Sequence, residues 1–183
     1  SNLANDVFDY KRGADTAGRL GPLRVTQAGL LIPRQVTAGL ILTLALAAMI
    51  GVYLILQGGW PILIVGALAI VSAVAYTGGP FPLGYHGLGD LFVFLFFGLA
   101  AVGGTYFVQA GAVSSLAWWS AVPVGTLVTA ILVVNNLRDI ESDRAVGKRT
   151  LAVRLGVRGA RVEYLTLLGL AYLAPLLMLS LIH

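Results

Sequence analysis

A chain of 183 residues with 58% hydrophobic and only 11% charged residues cannot clothe itself in a polar surface, because an ordinary soluble domain carries roughly a quarter charged residues. It contains no Cys, which excludes a disulfide framework and any thiolate ligand or nucleophile, so oxygen and nitrogen groups must carry whatever chemistry exists. The formal net charge of +4 would suit nucleic acid, yet every Lys and Arg lies in one of two blocks flanking a basic-free stretch from Gln35 to Leu137, a layout that excludes a nucleic-acid surface and suits a lipid bilayer.

The first block opens with Asn2-Leu3-Ala4-Asn5-Asp6 and runs through Asp9, Lys11, Arg12 and Asp15 to Arg34. Asn5 and Asp9 are four residues apart, so a helix turns both side chains toward one point, with Asn2 three residues before Asn5. Five apolar segments follow, at about 36–56, 60–76, 91–107, 116–134 and 162–182. Each is near the roughly 20 residues that a spanning helix requires. Helix is the expected state despite their many Val and Ile residues, because lipid offers backbone amides no other partner. Gln57-Gly58-Gly59, Gly78-Gly79-Pro80-Phe81-Pro82 and Gln109-Ala110-Gly111 read as the breaks between them. Trp60, Trp118 and Trp119 read as interfacial anchors, and Gly98, Gly103 and Gly104 as sites of close helix packing. Phe92, Phe94, Phe96 and Phe97 are candidate lining of an apolar tunnel. His86 and Asp90, placed on the loop before 91, are candidates to orient an aromatic acceptor or act as a base.

Between the fourth and fifth segments lies the second constellation, Asn135-Asn136-Leu137-Arg138-Asp139 through Asp143 to Gly147-Lys148-Arg149-Thr150. Asp139 and Asp143 repeat the four-residue spacing, with Asn135 and Asn136 one turn earlier. Cytoplasmic loops collect Lys and Arg. If the first basic block is cytoplasmic, two crossings put 78–90 inside, two more put the second block inside, and the loops at Gln57 and Gln109 fall outside with no charge. The architecture expected is all-α, a polytopic transmembrane bundle forming a single domain that is incomplete at both ends.

Both acidic clusters therefore sit on one membrane face, amid cations. Mg²⁺ takes one or two carboxylates from a protein and completes its octahedron with phosphate oxygens and water. Neighbouring Arg and Lys suit the remaining phosphate oxygens. Without a cation the facing carboxylates would repel one another. A secondary transporter would place its acids mid-helix at the bilayer centre, and a soluble isoprenoid diphosphate synthase would have no spanning segments.

Asn-Asp-x-x-Asp at 5–9 followed far downstream by Asp-x-x-x-Asp-x-x-x-Gly at 139–147 resembles the UbiA superfamily of intramembrane prenyltransferases. Asn2-Leu3-Ala4-Asn5-Asp6, Gly13-x-Asp15, Tyr76-Thr77-Gly78-Gly79-Pro80, Leu83-Gly84-Tyr85, Gly87-Leu88-Gly89-Asp90 and Asn135-Asn136-Leu137-Arg138-Asp139 are similar to the branch that prenylates 1,4-dihydroxy-2-naphthoate on the route to menaquinone, the MenA type. Relatives acting on 4-hydroxybenzoate place a Lys soon after the position of Tyr76, where this chain has Gly78-Gly79-Pro80. Many relatives also carry an Asp four residues after the position of Asp9, where this chain has Gly13, with Asp15 two residues on.

The resemblance implies a ring of nine helices around a central cavity, of which this chain is a fragment. It implies a multi-pass protein of the plasma (inner) membrane, its active site facing the cytoplasm. The implied reaction is Mg²⁺-dependent transfer of a polyprenyl group from polyprenyl diphosphate to dihydroxynaphthoate with loss of carbon dioxide. It matches Asn5, Asp9, Asp139 and Asp143 to the metal ligands and Asp6, Asp9, Asp139 and Asp143 to the catalytic carboxylates. Asn2, Lys11, Arg12, Asp15, Tyr76, Asn135, Asn136, Arg138, Lys148 and Arg149 are the expected substrate contacts. Haem O, chlorophyll and 4-hydroxybenzoate transferases share this metal chemistry and differ in acceptor.

Overall fold

A computed structural model describes residues 2–13, 22 and 24–182. Among them there is no strand. Helix α1 (Asn2–Lys11) carries the first motif, and α2 (Pro33–Gly58) and α3 (Trp60–Ala75) form an apolar hairpin. A 3-10 turn (Leu83–His86) leads into α4 (Gly89–Val93), which continues without a break through a π-helical stretch (Phe94–Ala100) into α5 (Ala101–Ala110). Then come α6 (Ser115–Arg138), α7 (Ile140–Ala145) and α8 (Leu151–Ile182). The last is interrupted at Gly156, whose φ of 69° and ψ of 179° are not helical.

Among the described residues, four helices are long and apolar enough to cross a membrane, namely Pro33–Gly58, Gly89–Ala110, Ser115–Arg138 and Leu151–Leu179. This is a multi-pass membrane protein. The expected segment at 60–76 becomes α3, apolar but only 16 residues long, about 24 Å against a hydrocarbon core of about 30 Å. In α2 the apolar side chains of Ile41, Leu42, Met49 and Ile50 are each more than 60% exposed, and only Val36 is buried. In water such a helix would have no reason to stay solvated.

Helix α6 is the centre of the packing, lying against α8 on one side and against the π-helical stretch and α5 on another. Val133, Ile140, Ala152 and Ala160 form a buried cluster where α6, α7 and α8 meet, with Leu137, Tyr164 and Leu167 packed around it. On the opposite flank Gly98 abuts Gly125, so closely that a Cβ on Gly98 would lie 2.7 Å from the Gly125 Cα. Gly103 likewise receives the Trp118 ring, so that this tryptophan, expected to be an interfacial anchor, packs against α5. Gly104, expected to be a packing site too, has no atom within 4 Å of where its Cβ would stand. Of the phenylalanines, Phe92 and Phe96 stack at 6.1 Å, Phe94 covers Gly125, and Phe97 is 55% exposed.

One loop assignment changes. Asp90 belongs to the first turn of α4 and is buried, because Gly87, with φ of 70°, ends the 3-10 turn and lets the next helix begin at Gly89. His86 remains in the loop, where its Nδ1 lies 2.9 Å from the Pro82 carbonyl oxygen and its ring stacks on Phe81 at 3.7 Å. Those contacts spend it on the turn.

Candidate active site

The two motifs, more than 120 residues apart in sequence, line one cavity of about 560 Å³. From α1 come Asn2, Asn5, Asp6 and Asp9, and from the end of α6 and from α7 come Asn135, Asn136, Arg138, Asp139 and Asp143. Tyr76, Lys148 and Thr150 complete the wall together with Arg24, Thr77, Tyr85 and Ser142.

Local geometry explains the convergence. On α1 the i, i+4 spacing turns Asn5 and Asp9 to one side, and Asp9 is only 2% exposed. On the second motif the helix breaks at Asp139, with φ of −95° and ψ of 9°, yet the i to i+4 ladder persists. The Asp139 amide donates to the Asn135 carbonyl at 3.1 Å and the Asp143 amide to the Asp139 carbonyl at 2.8 Å. Asn135, Asp139 and Asp143 thus stay one turn apart. α7 then ends in a Schellman turn: the Gly147 amide donates to Arg144 O at 3.2 Å and the Lys148 amide to Asp143 O at 2.9 Å. Gly147 has φ of 76°, and that reversal aims Lys148 back at the first motif. We expect Gly147→Ala to cost about 1–2 kcal/mol, the left-handed penalty for a side chain. There is no clash to add, since nothing lies within 4 Å of the new Cβ. Thermal unfolding in detergent reads this directly, and an unchanged midpoint would contradict the turn's role.

The carboxylates have distinct partners. Asp9 accepts from the Tyr85 hydroxyl at 2.8 Å and from Lys148 Nζ at 3.3 Å, and Arg24 Nη2 lies 3.9 Å away. Lys148 Nζ is also 3.8 Å from Asp143 Oδ1. Asp139 holds Arg138 in a bidentate pair, both bonds 2.7 Å. Asp6 accepts the backbone amides of Val25 and Thr26 at 3.2 and 3.3 Å, which pins the segment carrying Arg24 against α1. Asn5 Oδ1 accepts from the Thr77 hydroxyl at 3.0 Å.

The loop between α3 and α4 joins the motifs. Arg12 donates to the Thr77 and Gly79 carbonyls at 2.6 and 2.8 Å, the Arg149 amide donates to Tyr85 O at 2.9 Å, and Arg154 Nη2 donates to His86 O at 2.8 Å. Arg12 and Lys148 both stand over the Tyr85 ring, at 4.9 and 4.8 Å from its centroid. Burial of that ring, with Asp9 beside it, raises the Tyr85 pKa above its ordinary value, so the hydroxyl remains a donor. Tyr76 is held by contact: a Cβ on Gly84 or Gly89 would come within 3.0 Å of its ring or 2.7 Å of its hydroxyl.

Of the residues expected from the sequence, Asn2, Asn5, Asp6, Asp9, Tyr76, Asn135, Asn136, Arg138, Asp139, Asp143 and Lys148 are brought together. Arg12 is engaged in bracing the loop, and Arg149 contributes its backbone. Lys11 lines a separate open groove with Pro33, Arg34, Thr37, Ala38 and Ile41. Asp15 lies outside the described residues. Arg24, Thr77, Tyr85, Ser142 and Thr150 are cavity residues that pattern reasoning did not single out. For Thr77 and Tyr85 the signal was their place in Gly-rich runs, which announce a built loop.

A model of the UbiA prenyltransferase family matches residues 1–183. The chain belongs to this family. It is 44% identical over 182 residues to the 1,4-dihydroxy-2-naphthoate octaprenyltransferase of Haemophilus influenzae, an alignment covering 96% of this chain and 59% of that protein. Its identity to the protein of the same name from Escherichia coli is 42% over 174 residues, covering 92% and 56%, and to that from Mycobacterium tuberculosis 45% over 170 residues, covering 93% and 58%. The chain therefore spans a little over half the length of the curated relatives it matches. No solved structure matches it significantly.

UbiA prenyltransferases generally depend on a divalent metal, and the residues of this UbiA chain fit one. The described lining of the cavity carries four carboxylates, Asp6, Asp9, Asp139 and Asp143, against three cations, Arg24, Arg138 and Lys148, a sum of −1. A site of that sum does not attract a diphosphate unaided. A divalent ion reverses the sign, and the donors available, carboxylate and carboxamide oxygen, are those Mg²⁺ prefers. No group of three His, Cys, Asp or Glu among the described residues forms a ready-made cage.

Proposed function

We propose that this chain is the catalytic part of a membrane prenyltransferase that moves a polyprenyl group from polyprenyl diphosphate to 1,4-dihydroxy-2-naphthoate, with loss of carbon dioxide and with Mg²⁺ as cofactor. The observation that carries it is the single cavity in which Asn5, Asp9, Asp139 and Asp143, from both motifs, face three cations. The acceptor is taken from the names of the relatives at 42–45% identity. The basic residues around the cavity support a cytoplasmic mouth in a plasma or inner membrane, with α3 as a fifth crossing.

In this reading Asn5, Asp9, Asp139 and Asp143 hold the metal, which when bound neutralises charge gathering on the diphosphate as it departs. Arg24, Arg138 and Lys148 take the phosphate oxygens, with Asn2, Asn135 and Asn136 as neutral donors. These groups gain most as negative charge builds on the leaving group, so they lower the barrier rather than only improving binding. Tyr76 and Leu132 stand on the wall of the same cavity, where an allylic carbon and an electron-rich ring would meet away from water. An ion-coupled transporter is disfavoured because Asp139 caps the end of α6 and Asp9 lies on the short α1, away from mid-bilayer positions.

The test supplies the full-length protein, in nanodiscs, with labelled polyprenyl diphosphate and either dihydroxynaphthoate or 4-hydroxybenzoate. Prenylated naphthoquinol is expected with Mg²⁺ and a fall of at least about 100-fold with chelator, since the metal carries much of the charge stabilisation. Product from 4-hydroxybenzoate alone would overturn the acceptor assignment, and full activity in chelator would overturn the metal.

A further inference from the structure

Lys148 stands in the gap between the two acidic motifs. Its ammonium nitrogen is 3.3 Å from Asp9 and 3.8 Å from Asp143, and its side chain is 16% exposed. One monovalent cation thereby touches a carboxylate of each motif, the pair that a bridging divalent ion would also need. Arg138 is paired with its neighbour Asp139, and Arg24 Nη2 lies 3.9 Å from Asp9.

The chemistry of the side chain matters here. An ammonium is a compact point charge on a flexible stem, so it can leave a carboxylate by rotation about its own bonds while the Gly147 turn stays fixed. If a divalent ion enters alone, Lys148 loses its partners and is left beside a like charge in a half-buried site. If diphosphate enters with the ion, the ammonium passes from carboxylate to phosphate oxygen and remains paired throughout.

We propose that Lys148 is an internal counter-ion that makes metal binding conditional on diphosphate: it occupies the gap between Asp9 and Asp143, so that the ion is held tightly only together with the diphosphate substrate. The inference rests on the metal–diphosphate reading of the cavity given above. It makes Lys148 a residue that sets the order of assembly as well as a phosphate ligand. By reciprocity, the ion must tighten diphosphate by the same factor by which diphosphate tightens the ion.

The experiment is Mn²⁺ binding, read by the electron paramagnetic resonance of free ion, to the full-length protein with and without inorganic pyrophosphate. Wild type is expected to bind Mn²⁺ about 30-fold more tightly with pyrophosphate, within the usual range of coupling between sites. Lys148→Gln, which is one carbon shorter, stays polar and loses the charge, should bind Mn²⁺ alone about tenfold more tightly than wild type, with the pyrophosphate effect reduced to about threefold or less. Lys148→Arg should restore much of the coupling. Equal Mn²⁺ affinity of wild type with and without pyrophosphate refutes the proposal even if the variants do not fold, while leaving the cavity's metal assignment standing. Unchanged affinity for Mn²⁺ alone in a folded Lys148→Gln protein refutes it as well. No Mn²⁺ binding under any condition removes the metal–diphosphate reading and this inference with it.

Discussion

Asp9→Asn should reduce prenyl transfer by about 10³-fold or more, the scale of losing a principal group that stabilises charge in the transition state. Asn preserves the outline of the side chain and can still accept from the Tyr85 hydroxyl, now 2.8 Å from Asp9. What disappears is the charge. The described lining then holds three carboxylates against three cations where it held four, and Lys148 and Arg24 lose the anion they share. Among the described residues, a divalent ion would lose the one aspartate of the first motif that is not committed to backbone amides. Asp6→Asn is the contrast: its partners are the amides of Val25 and Thr26, so we expect about 1–2 kcal/mol of lost stability and a much smaller loss of turnover. Labelled-substrate turnover and thermal unfolding on both variants separate the two roles. Near-wild-type turnover by a folded Asp9→Asn protein would sink the assigned site.

How much of this was written in the sequence follows from the range of the interactions. The apolar runs and the i, i+4 spacing of Asn5 with Asp9 are local properties, and the helices appear where those rules put them. The helix boundaries moved where charged residues continue a helix beyond its lipid-facing part. Beyond the break at Gly156, α8 starts ahead of the expected 162 because Arg158 and Arg161 tolerate helix as well as the apolar residues after them, whereas hydropathy registers only the latter. The π-helical stretch at Phe94–Ala100 has no sequence periodicity of its own and arises where Gly98 fits against Gly125. Tyr85 was legible only as part of a motif, since its partner Asp9 is 76 residues away. The Lys148 to Asp9 contact spans 139 residues. Asp90 was misplaced onto the loop for a related reason: the Gly87 turn that ends the loop before it depends on a backbone conformation no single residue announces.

Gly98→Val should be the most damaging substitution away from the cavity, costing about 3 kcal/mol or more in stability and with it most of the activity. The smallest side chain already fails: a Cβ on Gly98 would stand 2.7 Å from the Gly125 Cα and 3.1 Å from the Ala121 carbonyl oxygen. Both obstacles are backbone, so no rotamer change relieves them, and the π-helical stretch must move away from α6. Gly125 has no slack to offer on its side, because a Cβ there would meet the Phe94 ring at 2.8 Å. The displacement reaches the site through α6 itself, whose C-terminal end carries Asn135, Asn136 and Arg138 and is capped by Asp139. Shifting that end relative to α1 changes the span between the motifs, and a small misplacement of charge-stabilising groups lowers rate steeply. Gly104→Ala supplies the control on the same continuous helix: nothing lies within 4 Å of the added methyl, and helix propensity favours Ala by about 0.5–1 kcal/mol. Thermal unfolding of the two variants in the same detergent decides the matter. If Gly98→Val unfolds at the wild-type temperature, the close approach of these two helices is not what holds the second motif in place.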